Sequence, residues 1–424
     1  MEQNKTLKLF GISLLLILNY FFFLIYYVSN LFTGFGFNEA AIYHLFYGIQ
    51  GFDLSLYLTE ITFISALSIF VIFILIRIPS KYLQNLKFKS LFAFALAITL
   101  WFQPLTNNLF TMFGAPIFNR SFVGDLKPVI HENIRLASDK NLVIIYLESF
   151  EAGYLDETLL PGLTPNLTLL AKNSLNFTNI KQTYGASGTM AGMIASQCGV
   201  PFDSNGIIDP EQPFLPSLYC LGNILSDNGY HNVYMGGASL EFAGKGNFYR
   251  SHQFDEVIGK SLLLAKLEDP AYLNNWGIFD DTLYQQAERK FNELLSSNQK
   301  FAMVLLTLDT HKPDDLISKT CSQRPYKEGH DHHLNNIHCS DAMVGNFINT
   351  LASKDLENTI FIVLSDHLSP AGEFFHDIGL ERSARRNLFL VHGSDIFPAA
   401  IDKIGSTLDT TATLIQVLGS EESR

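Results

Sequence analysis

Two short runs more than 200 residues apart constrain the fold most: NLVIIYLES (141–149) and FIVLSDH (361–367). A continuous run of Val, Ile, Leu and aromatic residues marks a strand buried on both faces of a parallel sheet. Each run stops abruptly on ionisable side chains, Glu148 in the first and Asp366 with His367 in the second. In open α/β sheets the crevice at the carboxyl ends of the strands is where ligands bind. Two carboxylates and an imidazole delivered there predict a metal site in an enzyme.

From residue 141 onward, strand-like and helix-like runs alternate. NLVIIYLES leads to a turn marked by Pro161, Gly162 and Pro165, and then to the helical LTPNLTLLAKNS. SLNFTNIKQTY reads as a strand, MAGMIASQC as a helix and HNVYMGGA as a short strand. DDTLYQQAERKFNELLSS is an amphipathic helix with Asp280 or Asp281 as its cap. FAMVLLTLDTH is a buried strand, followed by a polar loop over 312–335 and a helix through 341–352. FIVLSDH, the strand NLFLVHG and a final helix TTATLIQVLG close the chain. The alternation predicts an α/β fold, a mostly parallel sheet with helices on both faces.

The first 110 residues read differently. Residues 9–29 carry no charge over about 21 positions, enough for a helix to cross roughly 30 Å of hydrocarbon. Residues 57–76 and 90–110 form a second and a third candidate, giving an α-helical membrane domain over 1–110 and a connector over 111–140. A cleaved signal peptide does not fit span 1, which is too long and lacks a small-residue cleavage site. Lys5 and Lys8 precede span 1, and Arg77, Lys81, Lys87 and Lys89 lie between spans 2 and 3, whereas 30–56 has no Lys or Arg. Basic residues mark the cytoplasmic side. The chain is therefore expected to be an integral, multi-pass membrane protein with 141–424 outside the cytoplasm. The four cysteines, Cys198, Cys220, Cys321 and Cys339, all fall in that part. Three pairings are open to them; 198–220 and 321–339 close short loops and are the expected ones, in keeping with an oxidising compartment. The net charge of −12 argues against a nucleic-acid partner.

Between the two acidic strand ends lies YGASGTMAGMIASQCG (184–199), where a Gly-containing turn enters a helix at Thr189. Backbone N–H groups there favour an alkoxide or a phosphate oxygen. A threonine hydroxyl needs a metal or a base to become a nucleophile. Glu148, Asp366, His367 and the Thr189 oxygen would make a hard O/N shell suited to Mn²⁺ or Zn²⁺ rather than copper. Ser187 is the competing nucleophile. Singly, each residue has a plainer explanation: Thr189 an N-cap, Glu148 a strand-end ion pair, Asp366–His367 a turn. Their joint placement at strand ends and a helix start favours the site.

These motifs resemble the alkaline phosphatase/sulfatase superfamily, and within it the membrane-anchored phosphoglycerol and phosphoethanolamine transferases. LESFEAGY, GLTPNL, GTMAGMIASQCGVP, CLGNIL, FAGK, SHQFDEVIG, WGIFDDTL, TLDTHKPD and SDHL look most like the phosphoglycerol transferase I family, which decorates osmoregulated periplasmic glucans. Lipoteichoic acid synthase is similar more distantly. The resemblance covers roughly 140–420 and implies an alkaline-phosphatase-like catalytic domain. It further implies Thr189 as nucleophile and as metal ligand with Glu148, Asp366 and His367, the ion being Mn²⁺ with Zn²⁺ or Mg²⁺ as alternatives. His311 matches a histidine that contacts the substrate phosphate. Lys245 falls where lipoteichoic acid synthase has an arginine, and Ala243 where that enzyme has a tryptophan. His376, with Glu373, is a candidate second-metal ligand as in phosphoethanolamine transferases, although Leu368-Ser369-Pro370 replaces the Gly usual there. The cysteines also match the transferase pattern.

The expected function is then metal-dependent transfer of phosphoglycerol from phosphatidylglycerol, a membrane phospholipid donor, to a glycan acceptor through a phosphothreonine on Thr189. The expected location is the inner membrane, with the catalytic domain in the periplasm. The alternatives are phosphoethanolamine transfer to lipid A or a glycan, and a catalytically dead scaffold or sensor. No C/S-x-P-x-R run surrounds Thr189, which argues against sulfatase activity proper. His330, Asp331, His332, His333 and His338 read as a solvated loop rather than a metal site, and Arg385 and Arg386 as surface charges.

Overall fold

The computed structural model describes residues 15, 17–30, 37, 58–77, 94, 96–110, 134–183, 185–202, 213–267, 269–311, 316–370 and 384–421. The chain divides into two compact units, the larger holding everything from Val129 to Arg424. In the amino-terminal unit a helix runs over Leu58–Arg77, about 30 Å at 1.5 Å per residue. Polar side chains in these apolar stretches satisfy one another. Gln103 Nε2 donates to the Asn19 carbonyl (2.8 Å), Thr99 Oγ1 donates to Asn19 Oδ1 (3.0 Å), and the Tyr20 and Ser68 hydroxyls meet. Among the described residues no helix is long and apolar enough to cross a membrane, so the three crossings stand as an expectation of the sequence. Parts of spans 1 and 3 and residues 111–133 of the connector lie outside the described residues.

The larger unit is built on an eight-stranded sheet of β1 (Asn141–Leu147), β2 (Leu175–Phe177), β3 (His231–Gly236), β4 (Glu256–Ile258), β5 (Phe301–Leu306), β6 (Thr359–Ser365), β7 (Phe389–His392) and β8 (Ala399–Ile401). Their spatial order is β8-β2-β7-β6-β1-β5-β3-β4, and only β7 runs against its neighbours. The two apolar runs that end in Glu148 and in Asp366–His367, β1 and β6, are adjacent and parallel at the centre.

Period-two alternation divides the central strands between two cores. Val143, Ile145, Leu147, Phe361 and Val363 face one side, under α5 (Asp280–Ser296) and α6 (His332–Asp355). Leu142, Ile144, Tyr146, Ile360, Ile362 and Leu364 face the other, under α2 (Thr189–Cys198), α3 (Leu221–Asp227), α4 (Lys245–Ser251) and α7 (Thr410–Val417). Of the other helices, α1 (Pro165–Lys172) follows the Pro/Gly turn, and a five-residue helix spans Lys260–Leu264. Both faces are covered, which is why these strands read as unbroken apolar runs. The fold is α/β with a mostly parallel central sheet.

Several local expectations need correction. The helix read as 341–352 spans His332–Asp355, because Asp331 caps it by accepting from Leu334 N (3.0 Å) and His333, Leu334 and Ile337 form its buried stripe. His333 meets the Tyr154 hydroxyl (2.8 Å) and His338 Nδ1 donates to the Leu163 carbonyl (2.7 Å), so both are packed helix residues rather than part of a solvated loop. At α5 the cap is Phe279, not Asp280 or Asp281. The Asp280 carboxylate instead accepts from Leu308 N (2.8 Å) and Asp309 N (3.0 Å), holding the segment after β5. Disulfides join Cys198 to Cys220 and Cys321 to Cys339, the two short-loop pairs.

Candidate active site

Register brings the carboxylates together. Leu147 of β1 pairs with Ser365 of β6, so Glu148 and Asp366 leave the sheet side by side at its carboxyl edge. The α2 helix starts at Thr189 itself, after Gly188 as N-cap. Thr189 therefore caps nothing; its hydroxyl donates to Glu148 Oε2 (3.0 Å). Gly192, one turn on, lets α2 lie against the β6 end: a Cβ there would overlap the Asp366 carbonyl. His367 Nδ1 donates to the Leu368 carbonyl (2.8 Å), which turns Nε2 inward, 3.2 Å from Glu148 Oε1 and 3.4 Å from Asp366 Oδ2.

Glu148, Asp366 and His367 are all buried, and each presents a donor atom within 4.8 Å of the others, whereas Thr189 is half-buried. Burial and the neighbouring Glu148 charge push Asp366 well above the usual carboxylate range. Burial works on Glu148 in the same direction, but the fields of His311 and His367 outweigh it and hold that carboxyl below the usual range. Burial opposes a charged His367; Asp366 and Glu148 prevail and push it up to about 10. Asp366 Oδ2 is buried and accepts no hydrogen bond among the described residues. An orphaned carboxylate oxygen, a second carboxylate and an inward Nε2 locked by its partner nitrogen fit a divalent cation. Among the described residues the other grouping with metal-like chemistry, Cys198, Cys220 and His252, offers no thiolate because its cysteines are joined.

Ser149 went unremarked in the sequence. It adopts φ +51°, a left-handed backbone costing about 1–3 kcal/mol for a non-glycine. The strain aims its N–H at Asp366 Oδ1 (2.9 Å) and its hydroxyl at Glu148 Oε1 (2.8 Å). Its only signal was its place next to Glu148 in the motif. Ser187 is half-buried two residues before Thr189; the hydroxyl that reaches Glu148 is that of Thr189.

Lys245 begins α4 and is 3% exposed, its Nζ 4.6 Å from the centre of the Phe242 ring. Burial pulls its pKa down to about 8, against the fields of Glu148 and Asp366. His311 follows β5 and packs on Trp276, ring centres 4.1 Å apart. Glu148, Thr189, Asp366 and His367 thus meet at the strand ends, with Lys245 and His311 near enough for their charges to act on Glu148. His376 and Glu373 lie outside the described residues.

Arg385 is not a surface charge. It is buried, with Nε 2.9 Å from Glu151 Oε2 and Nη2 against Glu151 Oε1 and the Ser369 carbonyl, while Ser369 N donates to Glu151 Oε1 (2.9 Å). Arg386 is half-buried and donates to Asn179 Oδ1 (2.6 Å). The Glu151–Arg385 pair ties the segment after Glu148 to the segment after His367. Arg385→Met would leave the fully buried Glu151 without its partner, and an uncompensated buried charge costs about 3–5 kcal/mol. Denaturant unfolding should show that loss, with part of it recovered in the Glu151→Gln/Arg385→Met double variant.

The sulfatase family model matches residues 140–420. The chain belongs to the sulfatase family. A second model, the amino-terminal domain of phosphoglycerol transferase I, matches residues 1–120 of this sulfatase-family chain. Phosphoglycerol transferase I of Escherichia fergusonii is 34% identical over 412 residues, 93% of this chain and 53% of that protein. The Citrobacter koseri protein of that name is 39% identical over 289 residues, 66% of this chain and 38% of its own length. The chain thus spans about half, or less, of the length of these curated relatives. Among solved structures, an alkaline phosphatase superfamily protein from Vibrio parahaemolyticus superposes with TM-score 0.56 at 24% identity, covering 70% of this chain and 71% of that one. The lipoteichoic acid synthase LtaP of Listeria monocytogenes does so with TM-score 0.56 at 20% identity, covering 68% and 74%. At these identities the two neighbours speak for the fold.

Proposed function

We propose that this chain is a membrane-anchored, divalent-metal-dependent phosphoglycerol transferase, taking its group from phosphatidylglycerol and passing it to a periplasmic glycan. The observation that carries the reading is the Thr189 hydroxyl, 3.0 Å from Glu148 at the mouth of the buried Glu148/Asp366/His367 set. The names of the relatives, and the match of 1–120 to the amino-terminal domain of phosphoglycerol transferase I, supply the group transferred.

Glu148, Asp366 and His367 would hold the ion, Mn²⁺ in the first instance, with Zn²⁺ or Mg²⁺ as alternatives. Bound there, a divalent cation lowers the pKa of a neighbouring hydroxyl and offsets charge building up on a phosphoryl oxygen. Thr189 Oγ1, once it has lost its proton, forms a bond to phosphorus. The bond from phosphorus to the diacylglycerol oxygen breaks, and that oxygen takes up a proton. Lys245 and His311 hold the phosphate oxygens of the resulting phosphothreonine. A glycan hydroxyl then attacks phosphorus, the Thr189–phosphorus bond breaks and the threonine hydroxyl is restored. Anchoring by spans 1 to 3 in the inner membrane keeps the catalyst beside a donor that cannot leave the bilayer cheaply.

The test is intact-protein mass spectrometry of the full chain in mixed micelles with Mn²⁺. A mass gain of one phosphoglycerol with phosphatidylglycerol is the expected result. A gain only with phosphatidylethanolamine transfers the reading to phosphoethanolamine. No adduct and no lipid turnover under any donor or metal would leave a scaffold.

A further inference from the structure

Four side chains form a continuous wall beside the strand-end carboxylates. Lys245 Nζ lies 4.6 Å from the Phe242 ring centre, Phe242 lies 5.7 Å from Trp276, and Trp276 lies 4.1 Å from His311, tilted by 48°. The two ends of the wall are the cation and the imidazole that feel the charge on Glu148. Phe242, Trp276 and His311 are half-buried, so the wall keeps an open face.

The support behind Trp276 is heavier than a surface ring needs. Asn274 Oδ1 accepts from Trp276 N (2.9 Å) and from Gly277 N (2.7 Å), closing the turn that carries the indole. Asn274 Nδ2 donates to Asp309 Oδ1 (3.1 Å), two residues before His311. Asp309 is fixed in turn by Ser318 Oγ (2.6 Å) and by its own N–H on Asp280 (3.0 Å). Behind the turn, a Cβ on Gly277 would overlap the Gly237 carbonyl, so two backbones meet with nothing between them. Desolvated carboxylates and amides are a costly way to hold a loop, and apolar packing would serve stability as well. What this network secures is the register of Trp276 against His311.

Resting on the transfer proposed above, we infer that Trp276 determines donor headgroup specificity, its indole face packing on the C–H face of an uncharged polyol attached to the phosphate. A ring held rigidly at low conformational entropy gives an apolar contact to glycerol carbons. Phe242 already faces the Lys245 ammonium, so an aminoalkyl headgroup entering here meets a like charge, while a glycerol does not.

The test follows the rate of adduct formation by intact-protein mass spectrometry, using the full chain with Mn²⁺ and mixed micelles of phosphatidylglycerol or of phosphatidylethanolamine. Trp276→Ala should slow formation from phosphatidylglycerol ~10-fold at subsaturating lipid, raising KM more than it lowers kcat. The preference for phosphatidylglycerol over phosphatidylethanolamine should shrink by a similar factor. Trp276→Phe, which keeps a ring and the Asn274 closure, should recover most of both, with the unfolding midpoint of either variant near wild type. Unchanged rate and preference in Trp276→Ala, with a wild type that does use phosphatidylglycerol, overturns the inference and leaves the transfer reading standing. A defect confined to discharge of the preformed adduct onto glycan overturns it too, moving the indole to the acceptor. A wild type that forms no adduct from phosphatidylglycerol brings down both.

Discussion

Thr189→Ala should abolish lipid turnover while leaving the protein folded. Among the described residues the hydroxyl makes one hydrogen bond, to Glu148, and plays no part in capping α2, whose N-cap is Gly188. Loss of the hydroxyl and a methyl at this half-buried position, with one hydrogen bond, costs about 1 kcal/mol of stability. Removing an attacking oxygen is far more costly to rate; in hydrolases with a comparable nucleophile the loss reaches about 10⁶-fold. Diacylglycerol release and the mass adduct should therefore vanish together, with an unfolding curve near wild type. Thr189→Ser keeps an oxygen at the same place and should retain measurable turnover with the adduct on residue 189. Ser187→Ala should still form the adduct. Persistence of the adduct in Thr189→Ala would hand the role to Ser187, and normal turnover without an adduct would discard the covalent route.

The parts legible in the sequence were those in which one local pattern carried the physics. β1 and β6 announced themselves because both faces are covered, and their ends announced Glu148, Asp366 and His367 because an ionisable residue at the mouth of a buried strand is conspicuous. Thr189 was legible as the residue following a Gly turn. Other parts were invisible for definite reasons. Arg385 finds Glu151 across 234 positions, and an arginine before a strand looks like any solvated one. β4 and β8 are three residues long, too short to show alternation. The start of α6 is hidden by its histidines, although Asp331 caps it. Asp280 has the sequence of a cap and the structural task of holding the segment that leads to His311. The general pattern is that strands and their ends can be read locally, whereas the network that aligns one strand end with the next depends on tertiary partners.

Metal affinity should rise steeply with pH. Without the ion, His367 is held at about 10 and Asp366 well above the ordinary carboxylate range, so near neutrality this buried centre carries protons. Ligands must shed them to bind a cation, so binding releases protons and strengthens as they become scarce. The sign is fixed by His367. Below about 10 its imidazole is protonated and competes with the metal, and each unit of pH then gains about tenfold in affinity per proton released. Between pH 6 and pH 8 the apparent Kd for Mn²⁺ should fall about 100-fold if His367 alone gives up its proton, and more steeply if Asp366 contributes. Calorimetry in two buffers of different ionisation enthalpy should count at least one proton released. The same imidazolium stabilises the metal-free fold fully below its unfolded-state pKa of about 6.5, and this contribution fades as pH rises through about 10. Metal-free protein should therefore lose stability on the alkaline side of neutrality, and Mn²⁺-loaded protein should not. Asp366→Asn removes one of the two carboxylates and should weaken Mn²⁺ binding by about 100-fold or more. A pH-independent Kd, or full affinity in Asp366→Asn, would mean that the ion sits elsewhere.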